Sequence, residues 1–124
     1  MNFETIQTNQ EAVVLTKVDK LDASNAAELK SVLLLLNKNG VNNIVIDMLA
    51  TKYCDSSGLS AILTANRLCK DTNGQFILCG LQSGVMKLIQ IAQLDRVLTI
   101  AADQDAALYD QRSPARHAAL FGQA

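Results

Sequence analysis

Asn43 to Leu63 constrains this chain more than any other stretch. A compact apolar run, Ile44-Val45-Ile46, leads through a short polar loop to Asp55-Ser56-Ser57-Gly58, and Leu59, Ile62 and Leu63 then recur at helical spacing. The run reads as a strand buried on both faces, and the later spacing reads as an amphipathic helix. Between them lies a strand-to-helix junction, where the first amides of a helix have no intrahelical partner. Asp55 and two hydroxyls are delivered there. Ser56 is either the N-cap or the first helical residue, with its hydroxyl at the positive end of the helix dipole.

The rest of the chain repeats this alternation. Asn2 to Thr8 and Ala12 to Val18 read as strands around the polar turn Asn9-Gln10-Glu11, the first an edge strand paired to the second as a hairpin. Asp22 or Ser24 is the expected N-cap of a helix carrying Ala26, Leu29, Val32, Leu33 and Leu36, which Asn39-Gly40 closes with a left-handed cap. Val41 to Met48 is the third strand, and the helix after it ends at Asn73-Gly74. Gln75 to Gly80 is a fourth strand. Ser83 caps a helix with Val85, Leu88 and Ile89 on one face, Arg96 to Ile100 is a short last strand, and Asp103 caps a final helix. The predicted fold is α/β: a mixed sheet of about four to five strands with about four helices in crossover connections. One domain is expected over residues 1–110, with a loose tail over 111–124 after the pattern dissolves toward Ser113-Pro114. Leu34 and Leu35 fall off the core stripe of the first helix. They read either as a last turn buried on two sides or as a contact for a partner or a weak homodimer.

Charge and cysteine usage exclude several function classes. The formal net charge is -1 and the basic residues are scattered, so no field is present to hold a phosphate backbone, and direct nucleic-acid binding is not expected. Cys54, Cys69 and Cys79 are odd in number and lack C-x-x-C spacing, which argues against a disulfide framework or a zinc site and fits a reducing, cytoplasmic setting. No signal peptide is recognisable at Met1-Asn2-Phe3-Glu4. The longest apolar run, Val32 to Leu36, is far below the roughly 20 residues that span a bilayer. No cofactor motif is present: Gly58, Gly80 and Gly84 are too sparse for a dinucleotide loop.

Catalysis lacks a base. A nucleophilic triad needs a base beside its nucleophile, and the single histidine, His117, stands in the expected tail. Cys54 precedes Asp55, whose charge raises a thiol pKa, so a small hydrolase built on Ser56 or Cys54 is not expected. Ser56 is better placed to be modified than to react. A phosphate adds about −1.5 to −2 charges, and a helix N-terminus accommodates an anion without unfolding the domain. Asp55 beside it opposes the added charge. The alternative is that Ser56 and Ser57 do no more than cap a helix.

Asp55-Ser56-Ser57-Gly58-Leu59, after Ile44-Val-Ile-Asp47 and before Ala61-Ile62-Leu63, resembles the phosphorylation motif of bacterial anti-sigma factor antagonists, the single-domain members of the STAS family. Leu21-Asp22 followed by Ala26 or Ala27 is similar to the family's acidic residue before its first helix. The resemblance implies that Ser56 is phosphorylated by an anti-sigma factor serine kinase. The unmodified protein then binds that kinase, and a PP2C-type phosphatase restores binding after phosphorylation. It further implies a partner-binding face of Asp22, Ser24, Asn25, Asp55, Ser57, Gly58, Leu59 and Ser60, with no enzymatic activity, metal or cofactor of its own. Two positions depart from the family pattern: Asp19-Lys20 stands where a Gly often precedes the Leu-Asp pair, and Ser60 where a Gly often follows the motif. A STAS-type subunit of a transporter or signalling assembly, with structural serines, is the alternative.

Overall fold

A computed structural model describes residues 2–8 and 10–112, with the backbone alone for 109–112. A five-stranded sheet forms from β1 (Phe3–Thr8), β2 (Glu11–Thr16), β4 (Asn43–Asp47), β6 (Phe76–Cys79) and β7 (Thr99–Ala101), in the spatial order β1-β2-β4-β6-β7. Two further strands of two residues each, β3 (Lys20–Leu21) and β5 (Tyr53–Cys54), pair with one another apart from it. β1 and β2 are an antiparallel hairpin with Thr8 opposite Glu11, and all other pairs are parallel. The helices are α1 (Ala26–Lys38), α2 (Ser56–Asp71), α3 (Ser83–Ile91) and α4 (Gln104–Arg112).

The strands alternate in what their side chains meet, as a period of two requires. Ala12 and Val14, Ile44 and Ile46, and Phe76 and Leu78 enter a large core with Leu29 and Leu33 of α1, Ile62 and Ala65 of α2, and Val85 and Ile89 of α3. Val13, Val45 and Ile77 point the other way, into a thinner cluster closed by Ala107 of α4. A buried aliphatic side chain contributes about 1.5–3 kcal/mol, so β4, with Ile44, Val45 and Ile46 all at 0 % exposure, is held from both sides. Leu34 and Leu35, by contrast, are 51 % and 60 % exposed, so the last turn of α1 is not buried on two sides.

Both helix ends foreseen at Asn-Gly pairs are Schellman caps. At α1, Gly40 has φ +91°, its amide donates to Asn37, and the Val41 amide donates to Leu36. At α2 the left-handed residue is Asn73 (φ 62°), not the glycine after it. Gly74 is needed for space, since a Cβ there would stand 1.6 Å from the Asn42 carbonyl oxygen.

Several boundaries differ from those read in the sequence. Gln82, not Ser83, is the N-cap of α3. The region around Arg96 is a short 3-10 helix, Leu94–Arg96, and the last strand begins at Thr99. α4 runs on to Arg112, past the expected end of the domain, while residues 113–124 of the expected tail lie outside the described residues. Asp103 does cap α4, accepting the Ala106 amide at 2.9 Å.

Candidate functional site

Two strand-to-helix junctions stand side by side. β3 and β5 pair in parallel with Leu21 beside Cys54, and the Asp55 amide donates to the Leu21 carbonyl at 3.2 Å. Lys52 and Tyr53 both donate to the Asp19 carbonyl, at 2.8 and 3.1 Å. Asp22 and Asp55 therefore leave adjacent strands in register, although 33 positions separate them. α1 and α2 begin from this edge.

Asp55 is the N-cap of α2. Its backbone is extended (φ −108°, ψ −171°), its carboxylate accepts the Gly58 amide at 3.0 Å, and its carbonyl accepts the Leu59 amide at 3.0 Å. That settles the place of Ser56, which is the first helical residue and is exposed. Among the described residues its hydroxyl has no hydrogen-bond partner, so the capping is done by its neighbour. Ser57 and Leu59 are half-buried and Ser60 is exposed. Gly58 is buried against the β3–β5 pair: a Cβ would meet the Leu21 carbonyl oxygen and Cys54 Sγ, each at 2.6 Å.

The Asp22 loop is built from its own side chains. The Ser24 amide and hydroxyl both donate to Asp22 Oδ1, at 2.9 and 2.6 Å. The Ser24 hydroxyl bond, then its amide bond, hold this carboxyl below its usual range, with the charge of Lys20 adding to them. Asn25 is turned inward at 8 % exposure. Its carbonyl oxygen accepts the Asp22 amide and its amide nitrogen donates to the Lys20 carbonyl. Neither Asp22 nor Ser24 is the N-cap of α1; Asn25 occupies that position without a side-chain capping bond. The Asp22 carbonyl instead accepts the Asn25 and Ala26 amides, at 3.1 and 2.8 Å. Asp-Ala-Ser-Asn offers three good capping residues within four positions, and residue type cannot rank them.

Three depressions adjoin the start of α2. A cleft of about 400 Å³ between α1 and α2 is lined by Ala23, Ala26, Ala27, Lys30, Ser56, Ser57 and Ser60. A second, of about 330 Å³, runs from Ser56 and Ser60 along α2 to Arg67 and Leu94. The third, of about 380 Å³, holds Lys20, Asp22, Tyr53, Cys54 and Asp55, with the Lys20 ammonium 5.7 Å from the centre of the exposed Tyr53 ring. The junctions thus present hydroxyls, two carboxylates and an aromatic ring on one uneven surface.

Beneath this surface lies a buried pair that sequence reading missed. Thr51, at 0 % exposure, donates to the Val18 carbonyl at 2.7 Å, and its hydroxyl is 3.0 Å from that of Thr16, which in turn bonds the Asp47 carbonyl. The pair ties the chain after β2 and after β4 to the loop before β5. A threonine at a strand end carries no periodic signal to reveal such a role. Asp47 is structural as well: its carboxylate accepts the Leu49 amide and the Gln104 side chain.

Cys54, half-buried, has its thiol pushed up to about 12, first by burial and then by Asp55, so it stays protonated near neutral pH. His117 lies outside the described residues. Among the described residues no helix is long and apolar enough to cross a membrane.

Comparison with known proteins agrees with this architecture. The model of the STAS domain family matches residues 4–107. BtrV of Bordetella bronchiseptica, which carries the name of an anti-sigma factor antagonist, is 24% identical over 87 residues, covering 70% of this chain and 75% of its own. A STAS domain anti-sigma factor antagonist from Planctomyces limnophilus has a similar fold: TM-score 0.81, 17% identity, 90% of this chain and 98% of that one. The anti-sigma factor antagonist SpoIIAA in its unphosphorylated form matches at TM-score 0.68 and 16% identity, over 87% of this chain and 94% of its own. The Bacillus protein is known in a phosphorylated form too, which matches at TM-score 0.67 and 20% identity over 84% and 95%. With a family model spanning both junctions and the sheet from Glu4 onward, the chain belongs to the STAS domain family.

Proposed function

We propose that this protein is a phosphorylation-switched anti-sigma factor antagonist. With Ser56 unmodified it binds an anti-sigma factor that is also a serine kinase, and so frees a sigma factor. Phosphorylation of Ser56 by that kinase ends the binding, and a PP2C-type phosphatase restores it. The protein regulates transcription through partners, without contacting nucleic acid, and performs no catalysis.

One observation carries this reading: Ser56 is the exposed first residue of α2, and its hydroxyl is left unengaged because Asp55 does the capping. A kinase needs an accessible hydroxyl. A phosphate there meets the positive end of a helix. The relatives named as anti-sigma factor antagonists, and the existence of SpoIIAA in both phosphorylation states, support the reading by analogy. The partner-binding face comprises Asp22, Ser24, Asp55, Ser57, Leu59 and Ser60, with Asn25 and Gly58 shaping it from beneath.

Incubation with the cognate kinase and ATP tests the assignment. A mass increase of one phosphate that disappears in Ser56→Ala supports it. Undiminished phosphorylation of Ser56→Ala, or none of the wild type, overturns it.

A further inference from the structure

The cleft between α1 and α2 holds a cation that the sheet and helices do not use. Its floor is formed by the small side chains Ala23, Ala26 and Ala27, and Ser56, Ser57 and Ser60 line it from α2. Lys30 lines it from α1 and is half-buried. Long side chains on a helix point back toward its N-terminus. From its place one turn beyond Ala26, Lys30 is therefore directed over the alanines toward the start of α2. Lys17 pairs with Glu4, whereas among the described residues Lys30 has no acidic partner. The nearest acid along α1, Glu28, accepts a hydrogen bond from Asn2.

We infer that Lys30 is the intramolecular counter-ion of phosphorylated Ser56. This rests on the reading of Ser56 as the modified residue and specifies how the fold receives the modification. A phosphate on Ser56 carries about −1.5 to −2 charges beside Asp55, so the helix end and a like charge act on it in opposite senses. Lys30 tips that balance by drawing the phosphate into the alanine-floored cleft. Arg67 lines the other cleft that Ser56 adjoins, but it lies 11 positions along α2, roughly 16 Å of helix rise. Lys30 is the cation placed to respond. Filling the cleft also removes it from any partner surface that docks between α1 and α2.

The test uses the full chain with phosphoserine incorporated at position 56 during translation, so that no kinase is required. Phosphorus NMR then follows the second ionisation of the phosphate. Relative to Lys30→Gln, the wild type and Lys30→Arg are expected to show it lower by about 0.2–0.7 unit, the size an exposed ion pair supports. Arg67→Gln should leave it unchanged. Equal values in wild type and Lys30→Gln overturn the inference, as does a fall abolished by Arg67→Gln alone. A matching circular dichroism melt shows that each variant is folded. A kinase that ignores Ser56 would defeat the proposed function and leave this titration standing; a titration unmoved by Lys30→Gln would do the reverse.

Discussion

The Asp55 amide donates to the Leu21 carbonyl at 3.2 Å, and this bond joins the loop carrying Asp22 to the junction carrying Ser56. Two segments distant in sequence are thereby one surface. The consequences are open to measurement at the residues that hold it together.

Ser56→Asp should leave the fold intact and weaken binding to the kinase. The side chain is exposed at a helix start, where a carboxylate is favourable by about 0.3–1 kcal/mol, so melting within a few degrees of the wild type is expected. Titration calorimetry against the kinase should show the loss. An unfolded Ser56→Asp protein would contradict the placement of this hydroxyl.

Gly58→Ala should destabilise. A methyl group there meets a backbone oxygen and a sulfur at 2.6 Å, and the Leu21 carbonyl is fixed by its bond to Asp55. Overpacking of this kind costs about 1–3 kcal/mol. The urea midpoint should fall accordingly; an unchanged midpoint would mean that α2 does not lie so close to β3.

Thr51→Val keeps the shape of the side chain and removes its hydroxyl. The Val18 carbonyl then loses its donor, at a cost of about 1–3 kcal/mol. Thr51→Ser, which retains the hydroxyl, should lose less. If chemical denaturation ranked the two the other way, the bond to Val18 would not be what matters at this position.

Stability should decline in alkali. Burial is the first cause of the shift in all three thiols, which rise from an ordinary value near 9 to about 12 in Cys54, about 11 in Cys69 and about 12 in Cys79. Above about pH 9 the unfolded chain releases these protons and the folded chain retains them, so the stabilisation is complete below that pH and is lost as pH climbs toward the folded values. Urea midpoints should therefore drop between about pH 8 and about pH 10.5. A thiol reagent at pH 8 should label the native protein far more slowly than the unfolded chain. Flat midpoints or rapid native labelling would show that the thiols are not held this way.

What the sequence revealed follows from physical scale. Ile44-Val45-Ile46 announced a central strand because burial on both faces leaves an unbroken apolar run, and the Asn-Gly pairs announced helix ends because few residues adopt a left-handed backbone. β3 and β5 were invisible: two residues complete one alternation, and no period can be read from that. Asp55 was seen as an acid beside the serine, yet its role as the cap emerged only from the geometry, since Asp and Ser serve equally well there. Asn25 read as a surface residue of the docking loop, while its amide is spent on the backbone of Lys20 and Asp22. Lys30 carried no signal, for it enters the site only when α1 and α2 are packed.

The contact beneath Gly58 also bears on how a modification at this site is felt. The first turn of α2 rests against a neighbouring backbone with no room for even one added carbon, and that backbone is itself tethered. A group added at Ser56 could not be relieved by sinking the first turn of α2 toward β3; the space open to it is the cleft beside α1. The domain would then serve as a stiff mount, on which modification changes the chemistry of the surface and not the seat of the helix beneath it.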